Sequence, residues 1–501
     1  MNTNKFQIFK NGFLTALILL AWGIAAYSQE AKEYRLEDVI RIAQEQSPDA
    51  QIAKHQYRKS YWGYKKFKAN YLPSLNLSAT LPDINRSFHA VSSQDGSTVY
   101  TPQNLWSYAV SLSLNQKIGF TGGEVFLNSG IQRMDNRYAD SIATQYLTNV
   151  INVGIRQPIF TYNPYRWERK IEPMKFEEAK RIYVETNENV AMTAVDHFFS
   201  LLLAQIDLGI AKKNYANYDT LYKIALGRYN LGKIAENDLL QLELNLLKAE
   251  AAIEDAELNY TNTLFVFKSY LRIKDDLPIK LIPPDKINYF KVPPEKAIVE
   301  AKNNTSSGLQ FQRRMLEAES QLNQARMDGR FDAEIFASFG LSQSAFEIQN
   351  AYADPLDAEQ VNIGISMPLL DWGKARGNIK MAESSLDLVT TSIEQEKIDF
   401  EQNIFLKVMK FNIQEKQLRI AAKSDTVAQK RYEVTQKRYM IGKVNDVLEL
   451  NNAQIDNDRS KLNYFMALKT YWKSYYELRK LTLYDFQRDM PIMINVDDIV
   501  K

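Results

Sequence analysis

The chain contains no cysteine. This excludes disulfides, thiolate metal sites, cysteine nucleophiles and an N-terminal lipid-anchored cysteine. Histidine is scarce too: His55, His89 and His197 are the only three, too few and too scattered for a His-rich metal site. Net charge is also missing. With 62 Lys and Arg against 60 Asp and Glu, a balance of +2 gives no electrostatic case for nucleic acid or a polybasic membrane contact. No Gly-x-Ser-x-Gly or His-Glu-x-x-His occurs, and Gly119-Phe120-Thr121-Gly122-Gly123 lacks the Gly-Lys-Ser/Thr ending of a phosphate-binding loop. A hydrophobic content of 45% with mean hydropathy −0.37 over 501 residues excludes a polytopic helical membrane protein and a disordered chain. These absences point to a non-enzyme without cofactor or metal, whose function lies in its architecture.

What is present begins with an export signal. Residues 1–12 carry Lys5 and Lys10 and no acid, and the apolar run Phe13–Trp22 follows. Ala26 and Ser28 stand three and one residues before Gln29, as small residues do at a cleavage site. The run is too short to span a bilayer comfortably. Residues 1–28 therefore read as a signal peptide cleaved near Ser28. No second long apolar segment is expected to span a membrane as a helix.

Proline marks the elements. Five of the fifteen prolines fall between Pro278 and Pro294, whereas 174–277 and 374–490 contain none. Those Pro-free stretches, rich in Ala, Leu, Glu, Lys and Gln, predict long helices, the first of them opening at Pro173. Leu239, Leu242, Leu246, Ala249, Ile253, Ala256 and Tyr260 step by three and four, a coiled-coil seam, and Leu448, Ile455 and Leu462 predict a second one.

The chain is also written twice. Leu36-Glu37-Asp38-Val39-Ile40 has a counterpart in Pro294-Glu295-Lys296-Ala297-Ile298. Val153-Gly154-Ile155-Arg156-Gln157-Pro158-Ile159 matches Ile363-Gly364-Ile365-Ser366-Met367-Pro368-Leu369, and Arg228-Tyr229-Asn230-Leu231-Gly232-Lys233 matches Arg438-Tyr439-Met440-Ile441-Gly442-Lys443. Matched landmarks in one order indicate an internal duplication. The predicted organisation is a first repeat at 29–277, a Pro-rich junction at 278–294, a second repeat at 295–484 and a tail at 485–501. The first repeat carries an extra hairpin at about 108–132, where Tyr108–Gln116 alternates and Gly122-Gly123 supplies the turn. Strands are expected at Ser74–Leu81, Val150–Ile159, Ala333–Ser342 and Val361–Leu369, each alternating as transmembrane or soluble antiparallel strands both do. Phe160, Tyr162, Tyr165, Trp167 and Trp372 at strand exits suit a membrane-interface girdle.

Three features carry a family resemblance: Tyr71-Leu72-Pro73-Ser74-Leu75-Asn76-Leu77 at the first helix-to-strand junction, Pro368-Leu369-Leu370-Asp371-Trp372-Gly373 after a late strand, and the duplicated Arg-Tyr-x-x-Gly interruption. Over about Leu36 to Leu483 the chain resembles the TolC-like outer-membrane efflux proteins. The resemblance implies a mainly α fold with membrane β: a duplicated helix–strand–helix unit forming a trimeric α-barrel of coiled-coil hairpins. Each protomer would lend four strands to a shared β-barrel in the outer membrane of a Gram-negative-type cell, with the helices reaching through the periplasm. It implies an exit duct of a tripartite efflux or type I secretion system. Its partners would be two further copies, a periplasmic adaptor, an inner-membrane transporter and outer-membrane lipid, with no nucleic acid.

By the same resemblance, Arg228, Tyr229, Gly232, Lys233, Arg438, Gly442 and Lys443 are expected in the adaptor-docking turns. Asp446 and Glu449, which share a helix face at i, i+3, are expected to ring the pore constriction. Asp238 and Tyr439 match the latch that closes the tip, although Val444 stands where the family has the latch arginine. A secreted coiled-coil scaffold without a pore explains the seams and the signal, but not the duplicated strands.

Overall fold

The computed structural model describes residues 32–92, 96–138, 141–275, 277–284, 287, 289–441, 447–494 and 499. The signal segment and its cleavage site lie outside them.

Strand β1 (Lys32–Arg35) leads into α1 (Leu36–Gln46) and α2 (Pro48–Ala69). Leu36, Val39, Ile40 and Ala43 recur at helical spacing and are all buried. Between the two helices Ser47 Oγ accepts a hydrogen bond from the Ala50 amide, and Pro48 takes the first helical position. The second repeat copies this start with β6 (Ile279–Ile282), α5 (Pro294–Asn304) and α6 (Ser306–Asp328). β1 and β6 pair in parallel, so the Pro-rich junction is stitched to the N-terminal edge of the first repeat.

Long helices follow in each repeat: α3 (Pro164–Asn230) with α4 (Glu236–Leu271), and α7 (Lys374–Met440) with α8 (Val447–Thr482). α3 and α7 each have 67 residues, and α4 and α8 each have 36, so the duplication extends to helix length. At 1.5 Å per residue the longer pair measures about 100 Å. α3 starts at Pro164 and not at Pro173. Asn163 accepts from the Tyr165 amide and Pro164 supplies the first-turn φ, a stronger start signal that leaves Pro173 inside the helix.

One stretch of α3 is long and apolar enough, by length and composition, to cross a bilayer. Its Val190, Ala191, Ala194, Val195, Phe198 and Phe199 are fully buried against Phe267, Leu271, Ile404, Val408 and Leu468, so it forms the molecule's main core. Of the two expected seams, the first places Leu239, Leu242, Ala249 and Ala256 inside, with Leu246 packed beside them. The second is corrected. Leu448 and Ile455 are exposed, and Val447, Leu450 and Ala453, on the adjacent face, pack inward instead.

α7 carries two seven-residue series. Ile404, Phe411, Leu418, Tyr432 and Tyr439 are buried, while Leu406, Ile413, Ile420, Val427 and Val434, continued by Ile441 just past the helix end, are more than half exposed. Positions two apart lie about 200° around a helix, so the two seams sit on nearly opposite sides.

The six longer strands are β2 (Ser74–Ser92), β3 (Thr98–Ile118), β4 (Gly123–Arg137), β5 (Ile142–Ile159), β7 (Asp332–Ala345) and β8 (Leu356–Ser366). They form one antiparallel sheet in the order β2-β3-β4-β5-β7-β8. The four strands expected by resemblance are thus six. β3 and β4, longer than the hairpin predicted at 108–132, stand between β2 and β5. β8 ends at Ser366, so Met367, Pro368 and Leu369 fall outside the strand.

α8 is anchored by a buried ion cluster. Arg479 donates to both carboxylate oxygens of Glu188 at 2.8 and 2.9 Å and to Asp485 at 2.9 Å. Glu188 and Asp485 are 3% and 4% exposed. Removing one member of such a cluster strands a buried charge. Arg479→Ala is therefore expected to cost about 3–5 kcal/mol, measured as a lower thermal midpoint in detergent. Arg479→Lys, which cannot fork onto both oxygens, should recover only part of the loss.

Candidate functional site

The helical end farthest from the sheet is built from the α3–α4 turn and the C-terminus of α7. The Gly232 amide donates to the Tyr229 carbonyl at 2.8 Å, and the Lys233 amide to the Arg228 carbonyl at 2.9 Å. This pair of bonds is a Schellman motif, with Gly232 at φ +67° in the left-handed position. A Cβ on Gly232 would meet nothing within 4 Å. The requirement for glycine here is therefore conformational, about 1–2 kcal/mol for another residue. Glu236 and Asp238 lie in the first turn of α4, where acids complement the helix dipole.

Around this turn Tyr218, Leu221 and Ala225 of α3, Leu239 and Leu242 of α4, Tyr432 and Tyr439 of α7, and Val447, Leu450 and Ala453 of α8 form one cluster. A polar layer tops it. Tyr218 donates to Asn451 at 2.9 Å, Asn217 donates to the Tyr432 hydroxyl at 3.2 Å, and Asn214 donates to Asp458 at 2.7 Å. These bonds fix which faces of α3, α7 and α8 meet, because a shifted register would leave the groups buried and unpaired.

The duplicated Arg-Tyr-x-x-Gly motif is used asymmetrically. Arg228 Nη2 donates to the Tyr439 and Met440 carbonyls, at 3.1 Å each, and closes the C-terminus of α7. Its guanidinium lies 5.2 Å from the centre of the Tyr439 ring. Tyr439 is 1% exposed. Their repeat-mates face outward: Arg438 is exposed and Tyr229 is 39% exposed. One repeat supplies the cation and the other the buried ring. Each contributes half of a single contact.

Asp238 is half-buried, and no hydrogen bond joins it to Tyr439 among the described residues. Its effect is electrostatic. Burial raises the Tyr439 phenol above its ordinary pKa, Arg228 opposes this, and the charge of Asp238 adds to it. Tyr439 Oη and Arg228 Nη1 are both buried without a hydrogen-bond partner among the described residues. The sequence reading placed Arg228 only in a docking turn and missed its inward role. Gly442, Lys443, Val444 and Asp446 lie outside the described residues. Glu449 lies in the first turn of α8. Lys233 is exposed beside Gly232.

A chain with long strands at one end and two pairs of long helices at the other, the first pair meeting in a tight turn, has the build of an outer-membrane duct. The chain belongs to the outer membrane efflux protein family: the family model matches residues 124–266 and 317–482. Members of this family are channels, not enzymes, and the chain is an outer-membrane efflux protein of the TolC-like kind. A comparison with curated protein sequences gives no match.

Among solved structures the chain is similar to the Campylobacter jejuni CmeC outer membrane channel. Identity is 15% over 93% of this chain and 89% of that one, with a TM-score of 0.65. It is similar to the open state of the Neisseria gonorrhoeae MtrE outer membrane channel, at 15% identity over 91% and 90% of the two chains and TM-score 0.62. VceC of Vibrio cholerae matches at 12% identity over 89% and 95%, with TM-score 0.60.

The cross-repeat clamp has a direct test. Arg228→Ala should release the last carbonyls of α7 and cost about 1–3 kcal/mol locally. Hydrogen exchange in a peptide ending at Ile441 should then quicken roughly tenfold or more. Arg438→Ala should leave that peptide unchanged.

Proposed function

We propose that the chain is the outer-membrane exit duct of a tripartite efflux or type I secretion system. Three copies would surround one channel, fed by a periplasmic adaptor and an inner-membrane transporter. The observation that carries this reading is the pair of opposed seams on α7. A helix apolar along both sides has to be flanked on both, and the exposed Leu406–Ile441 series finds no cover among the described residues of its own chain. A strict seven-residue repeat calls for another helix and not for solvent, and a ring of copies supplies one at every position. A lone coiled-coil scaffold would need only one seam.

The repeats divide as 29–277 and 295–484 about the 278–294 junction, with a C-terminal tail at 485–501, and the signal peptide leaves near Ser28. The tip turns, carrying Arg228, Tyr229, Gly232, Lys233, Arg438, Gly442 and Lys443, form the adaptor's docking surface. Asp238 and Tyr439 hold the aperture shut, with Arg228 as the neighbouring cation in place of the arginine that Val444 replaces. Asp446 and Glu449 ring the constriction, six carboxylates in a trimer, and favour cations.

In planar bilayers, Asp238→Ala and Tyr439→Phe should each raise single-channel conductance; an unchanged conductance in both would remove the latch. Replacing Asp446 by Asn together with Glu449 by Gln should lower the preference for cations, read as a reversal-potential shift toward zero in a salt gradient. Intact selectivity would place the constriction elsewhere.

A further inference from the structure

Two strands more than the resemblance implies have to be accommodated, and the sheet shows where. Residues directly opposite in an antiparallel pair share a face. Leu75 pairs with Leu114, Leu114 with Leu127, Leu127 with Val153, and Val153 with Phe339. Ile335 and Ala333 then face Ile363 and Ile365 on β8. This face carries apolar side chains on every strand, although on β8 the residue opposite Phe339 is Glu359. On the other, Asn76 pairs with Ser113, Ser113 with Asn128, Asn128 with Asn152 and Asn152 with Gly340. β3 and β4 repeat the pattern of their neighbours, with Ser129 opposite Leu112 and Gln116 opposite Val125 as the polar residues set into it. A hairpin folded into a water-filled lumen, or one standing outside the cell, has no use for such a face.

The turn between them agrees. Asn163 Nδ2 donates to the Phe120 carbonyl at 3.2 Å, and Gln157 donates to the Thr121 carbonyl at 3.1 Å, tying the turn to the end of β5 and the start of α3. Phe120 is 86% exposed there, as are Phe160 and Trp372 at 58% and 90% where β5 and β8 end. The inserted pair carries its own member of the aromatic girdle.

Among the described residues nothing pairs with the outer edge of β2 or of β8. Both edge strands bear exposed apolar side chains, Leu75 and Leu77 at 64% and 71%, Ile363 and Ile365 at 63% and 71%. Open edges are not tolerated in lipid. β2 and β8 run in opposite senses, because an even number of antiparallel strands separates the two edges. A second copy can therefore present its β8 to β2 and continue the alternation.

We infer that three copies, the number resting on the proposed function, close a barrel of eighteen strands in place of twelve, with β2 of each chain paired to β8 of the next. Taking about 4.8 Å between strands and a tilt of about 40°, the backbone diameter is about 36 Å against about 24 Å. Strand number then puts the outlet among barrels that hold an open aqueous channel. It would pass cargo about half again as wide as a twelve-stranded exit.

The absence of native cysteine makes the test clean. Ser78→Cys combined with Gln360→Cys, Asn362→Cys or Gly364→Cys should yield a disulfide-linked trimer for at least one pair; no cross-link for any pair would remove the assembly itself. Leu112→Cys on β3, carrying a fluorophore, should be quenched by nitroxide lipids as Leu77→Cys is, while Ser113→Cys should react with a membrane-impermeant maleimide. Cross-linking together with an unquenched, water-reactive Leu112→Cys would leave the trimer standing and overturn the eighteen-stranded wall. Removing 97–137 should lower the diameter of the largest polyethylene glycol that enters from the outer side about 1.5-fold. An unchanged cutoff in a folded deletion variant would equally overturn it.

Discussion

A backbone amide that enters lipid has to be hydrogen-bonded by another backbone group, because no water is there to replace the partner. That constraint governs the sheet end of this molecule. Six strands satisfy one another internally and leave two edges that no described segment of the chain covers. The apolar face spans every strand, so a single chain is unfinished as a membrane object. The helices repeat the statement in another form: α7, with a seam on each of two opposite sides, is also complete only between neighbours.

The duplication supplies quasi-equivalent halves, and the tip shows why they are not interchangeable. Arg228 and Arg438 occupy the same place in the repeated motif, yet only Arg228 turns inward, onto the two last carbonyls of α7. Tyr229 and Tyr439 part company likewise. The Arg228–Tyr439 contact ties the halves together beside the Tyr218–Asn451, Asn217–Tyr432 and Asn214–Asp458 hydrogen bonds, so movement of either hairpin has to break or drag them. The two hairpins of one chain are thus coupled to each other at this end.

Much of this was legible in the sequence, and the failures have physical causes. Helix length and the repeat order could be read because proline and the Arg-Tyr-x-x-Gly motif punctuate both halves. The Pro173 start failed because a proline alone is a weaker signal than the Asn163-Pro164 pair, in which the side chain also caps the helix. Alternation located parts of all six strands, but β2 and β3 exceed their apolar centres by many residues, and polar ends do not announce themselves. The seam at Leu448 was a real period set on an outward face; period alone cannot say which partner a face awaits. Arg228 was missed because its role depends on a residue 211 positions away.

The extra strands and the cysteine-free composition fit one design. A chain without disulfides has to draw its rigidity from packing and pairing. At the waist this is the α3 core and the buried Arg479–Glu188–Asp485 cluster. In the sheet, Phe126 and Phe336 stack at 5.7 Å on the face opposite the apolar one, over Gly154, where a Cβ would lie 2.3 Å from the Phe126 ring. That glycine sits on β5, where the inserted strand β4 meets the strands shared by both repeats. The aromatic pair bridges β4 and β7 across β5. The insertion is thus packed into the sheet by side chains as well as by backbone pairing, and its removal would unstack a ring on the strand it leaves behind.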